Sequence, residues 1–295
     1  MNTIGTEAFH DQAMGLDKRS LPQAALLLAE GQIAAAAAVR DVAPDIAKAA
    51  ATLARTIRDG GTIHYVAAGS SGLMAAADAL ELGGTFSIAA SQLRIHMAGG
   101  LPTGVEMPGG PEDETADLEQ ALSDLSSKDT MIAVSASGST PYTLAAAGIA
   151  RRQGVAVVAI ANNPGAPLLD GADHPIAIVT PPEVLAGSTR MGAGTAQKIA
   201  LNMLSTLMAI ELGHVYDGMM VNVRADNIKL RARAHAIIGR VTGAADNVAS
   251  AALDATGGEV KPAILMAANG ISVSRAKTIL RETEGHLRAA LAYKT

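Results

Sequence analysis

Cysteine and tryptophan are absent, and the 295 residues include only two phenylalanines and four tyrosines. Without cysteine there are no disulfides and no thiolate metal sites. Aromatics make up 2% of the chain against 49% hydrophobic residues, so the core must be built from Ala, Val, Ile, Leu and Met. Such a composition suits helices packed closely on a sheet better than a β-sandwich. No stretch of about 18 uninterrupted apolar residues occurs, which argues against a membrane span. The opening MNTIGTEAFHDQAMGLDKRS lacks the basic-then-apolar order of a signal peptide, so a cytoplasmic location is expected. The formal net charge is −5, with both signs dispersed along the chain. That removes a nucleic-acid-binding stripe and leaves the cations for a local anionic ligand. The seven histidines (His10, His64, His96, His174, His214, His235 and His286) show no metal-ligand spacing, and no metal is expected.

What is present is an alternation of strand and helix patterns. Residues 1–52 read as an N-terminal helical segment, with Pro22 at a helix start after Ser20 and a second helix from about Asp41 to Arg58. Strands are predicted at Thr62–Ala68, Leu93–Met97, Thr130–Ser135, Val155–Ala161 and Ile176–Val179. Between them lie helices over Leu73–Leu82, about Glu112–Leu125 and Tyr142–Gln153, and a long apolar helix follows over Gly194–Leu212. This order predicts an α/β fold: a doubly wound parallel sheet of about five strands flanked by helices, occupying residues 53–235. Residues 236–295, punctuated by Gly243, Gly257-Gly258 and Gly270, read as a small C-terminal helical subdomain.

Two loops leave strand ends with small polar residues: Gly69-Ser70-Ser71-Gly72 and Ser135-Ala136-Ser137-Gly138-Ser139-Thr140-Pro141. In open parallel sheets ligands sit beyond the C-terminal strand ends, at the point where strand order reverses. Glycine permits close backbone approach, the following helix offers free N–H groups and a positive dipole end, and hydroxyls add donors to phosphate oxygens. Ser70, Ser71, Ser135, Ser137, Ser139 and Thr140 are therefore candidate phosphate ligands. Neither loop is a Walker A or a GxGxxG motif, so a dinucleotide is not expected. Each loop alone equally fits an ordinary turn with serine as helix cap.

The segments GSSGLMAAADALE, PEDE, NNPGAPL and GSTRMGAGTAQKIALNMLSTLMAIELG together resemble the N-acetylmuramic acid 6-phosphate etherase family, which has the sugar isomerase (SIS) fold. The resemblance implies a lyase that cleaves the lactyl ether of N-acetylmuramic acid 6-phosphate to N-acetylglucosamine 6-phosphate and D-lactate. It further implies a homodimer with no metal or organic cofactor. The family's proton-donor carboxylate matches Glu81 in Asp78-Ala79-Leu80-Glu81, and its second active-site carboxylate matches Glu112 in Pro111-Glu112-Asp113. The chain departs from the family pattern at Leu73 and Ser139, where the two loops usually carry arginine, and at Gly83-Gly84, where Pro-Pro is usual.

Two carboxylates fit the chemistry. Losing an ether oxygen β to a carbonyl needs a base for the α-proton and an acid for the departing alkoxide. Glu81 and Glu112 are both expected to overhang one crevice. Either residue, taken alone, also reads as an ordinary helix or helix-start acid. Glu183, just past a strand end, is a reserve candidate, because related isomerases use a Glu in this region as base. Ser188, Arg190 and Lys198 form a second tier, with helix capping and helix-face salt bridges as the plainer alternatives. An aldose–ketose phosphosugar isomerase and a non-catalytic sugar-phosphate sensor are the competing functions.

Overall fold

The computed structural model describes residues 5–107, 109–225 and 227–293. The N-terminal helices are α1 (Leu21–Ala38) and α2 (Ala43–Arg58). Ser20 caps α1 in a capping box with Gln23, and Pro22 sits in the first turn, where a missing N–H costs nothing. Leu21, Leu26 and Ile33 on α1 are exposed. By length and composition, the helical run Leu21–Arg58 passes the test for a membrane span. Gln23, Glu30 and Gln32 within α1, and Arg40, Asp41, Asp45 and Lys48 beyond it, divide this stretch into short apolar runs.

Five parallel strands follow: β1 (Ile63–Ala67), β2 (Leu93–Met97), β3 (Thr130–Ser135), β4 (Ala156–Ala161) and β5 (His174–Ala177). Their order in the sheet is β2-β1-β3-β4-β5. Every residue of β1 and β3 is buried, as expected for strands covered on both faces. Helix α3 (Gly69–Phe86) connects β1 to β2, and α5 (Pro141–Arg152) connects β3 to β4. Right-handed crossovers moving opposite ways from β1 and β3 put these helices on opposite faces. The order reverses between β1 and β3, which are direct neighbours in register Ile63↔Thr130 to Ala67↔Val134.

Three predicted elements differ. The helix expected over 112–125 is reduced to a 3₁₀ turn, Gly110–Asp113, and a single-turn helix α4 (Leu118–Ala121). Glu112, Asp113, Glu114, Asp117 and Glu119 crowd like charges there with no basic partner four residues on. The last strand begins at His174 rather than Ile176; it lies at the sheet edge, where Pro175 withdraws no needed donor. Helix α3 begins at Gly69, so Gly69-Ser70-Ser71-Gly72 forms a helix's first turn rather than a free loop.

The described chain forms two compact units, one of residues up to Leu80 with Ser91–Ser205, the other of Glu81–Ala90 with the chain from Thr206 on. Helix α6 (Gly192–Glu211) leads from the first into the second. The second unit contains the short hairpin β6 (Val215–Tyr216) and β7 (Met219–Met220), which the sequence reading does not predict. It also holds helices α7 (Ile228–Thr242), α8 (Asp246–Ala255), α9 (Val260–Asn269), α10 (Val273–Glu282) and α11 (Leu287–Leu291). Helix α9 is central to it, packing against the other four through Val260, Ile264, Ala234, Leu253, Ile279 and Leu287.

Candidate active site

The C-terminal ends of β1 and β3 each deliver the chain into a helix N-terminus, α3 at Gly69 and α5 at Pro141. The two starts flank the crevice where strand order reverses, the favoured ligand position of such sheets. The first-turn N–H groups of both helices therefore lie at the same end of the sheet.

The loop after β3 carries a cluster of hydroxyls. Ser135 Oγ lies 2.9 Å from Thr140 Oγ1 and accepts from the Gly138 N–H at 3.0 Å. Ser137 Oγ accepts from both the N–H and the hydroxyl of Ser139. These hydroxyls bond to one another and to nearby backbone N–H groups, a network whose donors can turn toward phosphate oxygens. Gly138 has φ +69°, and a side chain there would strike Ala166 Cβ at 2.4 Å, so no other residue fits. Outside the loop, Asn163 Nδ2 donates to Ser137 O at 3.2 Å and to Thr6 Oγ1 at 3.0 Å. Asn163 Oδ1 in turn accepts from the Thr6 N–H. A single amide thus ties the N-terminal segment to the loop.

Of the two predicted carboxylates, Glu112 is brought to the loops. Its Oε1 lies 2.6 Å from where a side chain on Gly69 would start. The 3₁₀ turn that carries it, Gly110–Asp113, packs against α5. Ser70 and Ser71 stand in the first turn of α3, Ser71 buried. Glu81 is also on α3 but twelve residues beyond Gly69, roughly 18 Å of helix rise, and it is exposed. Helix α3 alone does not bring it to the crevice. Leu73, also on α3, is exposed in the position where the family pattern has arginine.

Glu183 is only 6% exposed, and its two oxygens accept from the N–H groups of Gly192 and Ala193 at 2.9 Å each. It serves as the carboxylate cap of α6, the dipole-favoured place for an acid. Ser188 and Arg190 lie in the turn just before α6; Ser188 is half-buried and Arg190 exposed. Lys198, exposed in the second turn of α6, donates to Asn202 Oδ1.

On α3, bonded to Asn202 and Ser205 of α6, is Asp78, 5% exposed. Burial pushes its carboxyl above the usual range, while hydrogen bonds from Asn202, Ser205 and Tyr65 and the Lys198 charge hold it down. Beside the crevice, the loop after β2 encloses an open cavity of about 460 Å³ between Ala98 and Met107.

The N-acetylmuramic acid 6-phosphate etherase of Streptomyces avermitilis is 42% identical over 294 residues, covering 99% of this chain and 94% of that protein. This chain is an N-acetylmuramic acid 6-phosphate etherase family member. The etherase of Deinococcus radiodurans is 40% identical, with 97% and 94% coverage, and that of Serratia proteamaculans is 38% identical, with 99% of both chains covered. The SIS domain family matches residues 83–212. In this etherase-family chain the sheet, its switch point and the hydroxyl loop form an SIS-type core.

Proposed function

We propose that the protein cleaves the D-lactyl ether of N-acetylmuramic acid 6-phosphate, giving N-acetylglucosamine 6-phosphate and D-lactate in amino-sugar and cell-wall recycling. The observation that carries this reading is full-length kinship with proteins bearing that activity's name. The site geometry supports it with an anion cradle that has a carboxylate at its edge.

In this reading the phosphate is held by the helix starts and by Ser70, Ser71, Ser135, Ser137, Ser139 and Thr140. Backbone N–H groups and hydroxyls carry the recognition that arginine supplies elsewhere in the family. The open-chain sugar exposes a C1 aldehyde, which acidifies the C2 proton. One carboxylate takes that proton, and the C3–O bond breaks as the other protonates the departing lactate oxygen. Water then adds to C3 of the resulting enal while C2 is reprotonated, so no redox partner is needed. Glu112 fills one role from beside Gly69.

The second role falls to Glu81, delivered by a second copy of the chain in a homodimer. The exposed apolar residues Leu21, Leu26 and Ile33 of α1 support such pairing. A cytoplasmic location accords with a chain free of cysteine acting on a phosphorylated metabolite. The isomerase alternative rests on Glu183 as base, and both Glu183 oxygens are occupied by α6 N–H groups.

The test is D-lactate release from N-acetylmuramic acid 6-phosphate. The wild type is expected to release it, and Glu112→Gln to slow release about 100-fold or more. An inert wild type that still gains thermal stability from the sugar phosphate would instead favour the sensor function.

A further inference from the structure

Two glycines stand at matching points of neighbouring strands. Ala67 of β1 pairs with Met97 of β2, and the Ala98 N–H donates to Ala67 O at 3.1 Å just beyond them. Gly69 and Gly99 each follow that pair by two residues. Both have positive φ, +52° and +75°. The register brings both glycines out at the C-terminal end of the same strand pair.

Each glycine leaves room for a different part of one turn, the 3₁₀ turn Gly110–Asp113. Glu112 Oε1 lies 2.6 Å from where a Cβ on Gly69 would start. Pro111 Cγ and Cβ lie 3.0 Å and 3.2 Å from where a Cβ on Gly99 would start. Consecutive residues, Pro111 and Glu112, are thus seated on two strand ends at once.

The two seats differ in what must yield. A methyl group at Gly69 meets the end of a flexible side chain, which can rotate away. A methyl group at Gly99 meets a proline, whose side chain is closed onto its own backbone nitrogen. A change of ring pucker shifts Cγ, but Cβ stays bonded to Cα. Relief at Pro111 therefore moves main chain, and Glu112 is the next residue. The turn is closed by the Glu112 N–H on Gly109 O at 3.1 Å and the Glu114 N–H on Pro111 O at 3.2 Å. A displaced Pro111 carries the carboxylate with it.

We infer that Gly99 is a positioning residue: by leaving room for the Pro111 ring, it sets where the Glu112 carboxylate stands beside the first turn of α3. This rests on the proposed reading in which Glu112 handles a proton. Gly99 acts only through the turn. Gly100 supplies the control. Its φ is +82°, and a Cβ there would meet no described atom within 4 Å beyond its chain neighbours. Alanine at either position carries the same kind of left-handed backbone strain. Only alanine at 99 also presses on Pro111.

The experiment compares full-length wild type, Gly99→Ala and Gly100→Ala. It measures kcat and KM for lactate release, Tm, and amide hydrogen exchange across 109–117 by mass spectrometry. Gly100→Ala is expected to keep kcat within about twofold of wild type. Gly99→Ala should lower kcat about tenfold with KM little changed, because a misplaced proton-transfer group is felt mainly in the transition state. The two variants should lose similar amounts of Tm. Exchange at the Glu112 and Glu114 amides should quicken in Gly99→Ala alone. In a Glu112→Gln background, Gly99→Ala should lower kcat little further. Asparagine accepts positive φ more readily than alanine, so Gly99→Asn and Gly100→Asn repeat the comparison if Gly99→Ala does not fold.

Equal kcat and equal exchange in the matched variants at 99 and 100 would overturn the role, as would a Gly99→Ala effect confined to Tm. Loss of folding in both Gly99 variants, with the Gly100 variants folded, would make the contact a folding requirement and overturn it too. Failure of the lyase reading looks different. The wild type then releases no lactate, or Glu112→Gln releases it as fast as wild type. In either case the difference in exchange between the Gly99 and Gly100 variants still decides whether Gly99 places the turn.

Discussion

The carboxylate of Glu112 occupies the space a side chain on Gly69 would need: a Cβ there lies 2.6 Å from Oε1. Gly69 also has φ +52°, a conformation costing other residues about 1 kcal/mol. Gly69→Ala should therefore push Glu112 off the first turn of α3. Lactate release is expected to fall at least tenfold, with a Tm loss of only a few degrees. Unchanged turnover would separate Glu112 from the chemistry.

The hydroxyl cluster predicts a different signature. Ser137 bridges Ser135 and Ser139, so Ser137→Ala removes a proposed phosphate donor and loosens its neighbours. KM should rise about tenfold and kcat change less, because the lost bond is to a charged group present throughout the reaction. An unaltered KM would reject the loop after β3 as the phosphate cradle.

If Glu81 and Glu112 serve one site from two copies, inactive Glu81→Gln and Glu112→Gln proteins should complement each other. Random pairing makes half the dimers mixed, each with one intact site of two, and restores about a quarter of wild-type activity. Mixtures as inactive as their components would place both carboxylates in one chain or remove Glu81 from the reaction.

Acid should destabilise the fold through His64 and His96. Their rings stack 5.3 Å apart, with His64 Nδ1 3.0 Å from His96 Nε2, a bond with room for one proton. Burial, and then the neighbouring His64, lowers His96 to about 4. Burial also lowers His64, outweighing Asp129. The unfolded chain takes up these protons first, near pH 6.5, so stability is full above that pH and lost as pH falls toward 4. The loss is on the order of 2 kcal/mol. Replacing His96 with glutamine should flatten the fall in Tm between pH 7 and 4.5; an equally steep fall would assign it to other groups.

The strands were legible because β1, β3 and β4 are short apolar runs buried on both faces, and because Gly and Ser mark where each one ends. The hydroxyl loop was legible for a similar reason: Ser135–Thr140 is a local cluster whose chemistry needs no distant partner. The start of α3 was misread because Gly69-Ser70-Ser71-Gly72 has the composition of a loop, although Gly72 N–H already bonds Ala68 O as a helical turn. Pairings across the chain left no local trace. Asp78 meets Asn202 at a separation of 124 residues, and Thr6 meets Asn163 at 157. Neither side chain announces its partner by periodicity or spacing, and nothing in the local sequence marks Glu183 as the acceptor for the α6 N–H groups of Gly192 and Ala193.

The most direct test of the whole account is turnover of N-acetylmuramic acid 6-phosphate in ¹⁸O-labelled water, followed by mass spectrometry of both products. Elimination and rehydration place one label on the C3 hydroxyl of N-acetylglucosamine 6-phosphate and leave D-lactate unlabelled. Label in the lactate, or no cleavage at all, would contradict it.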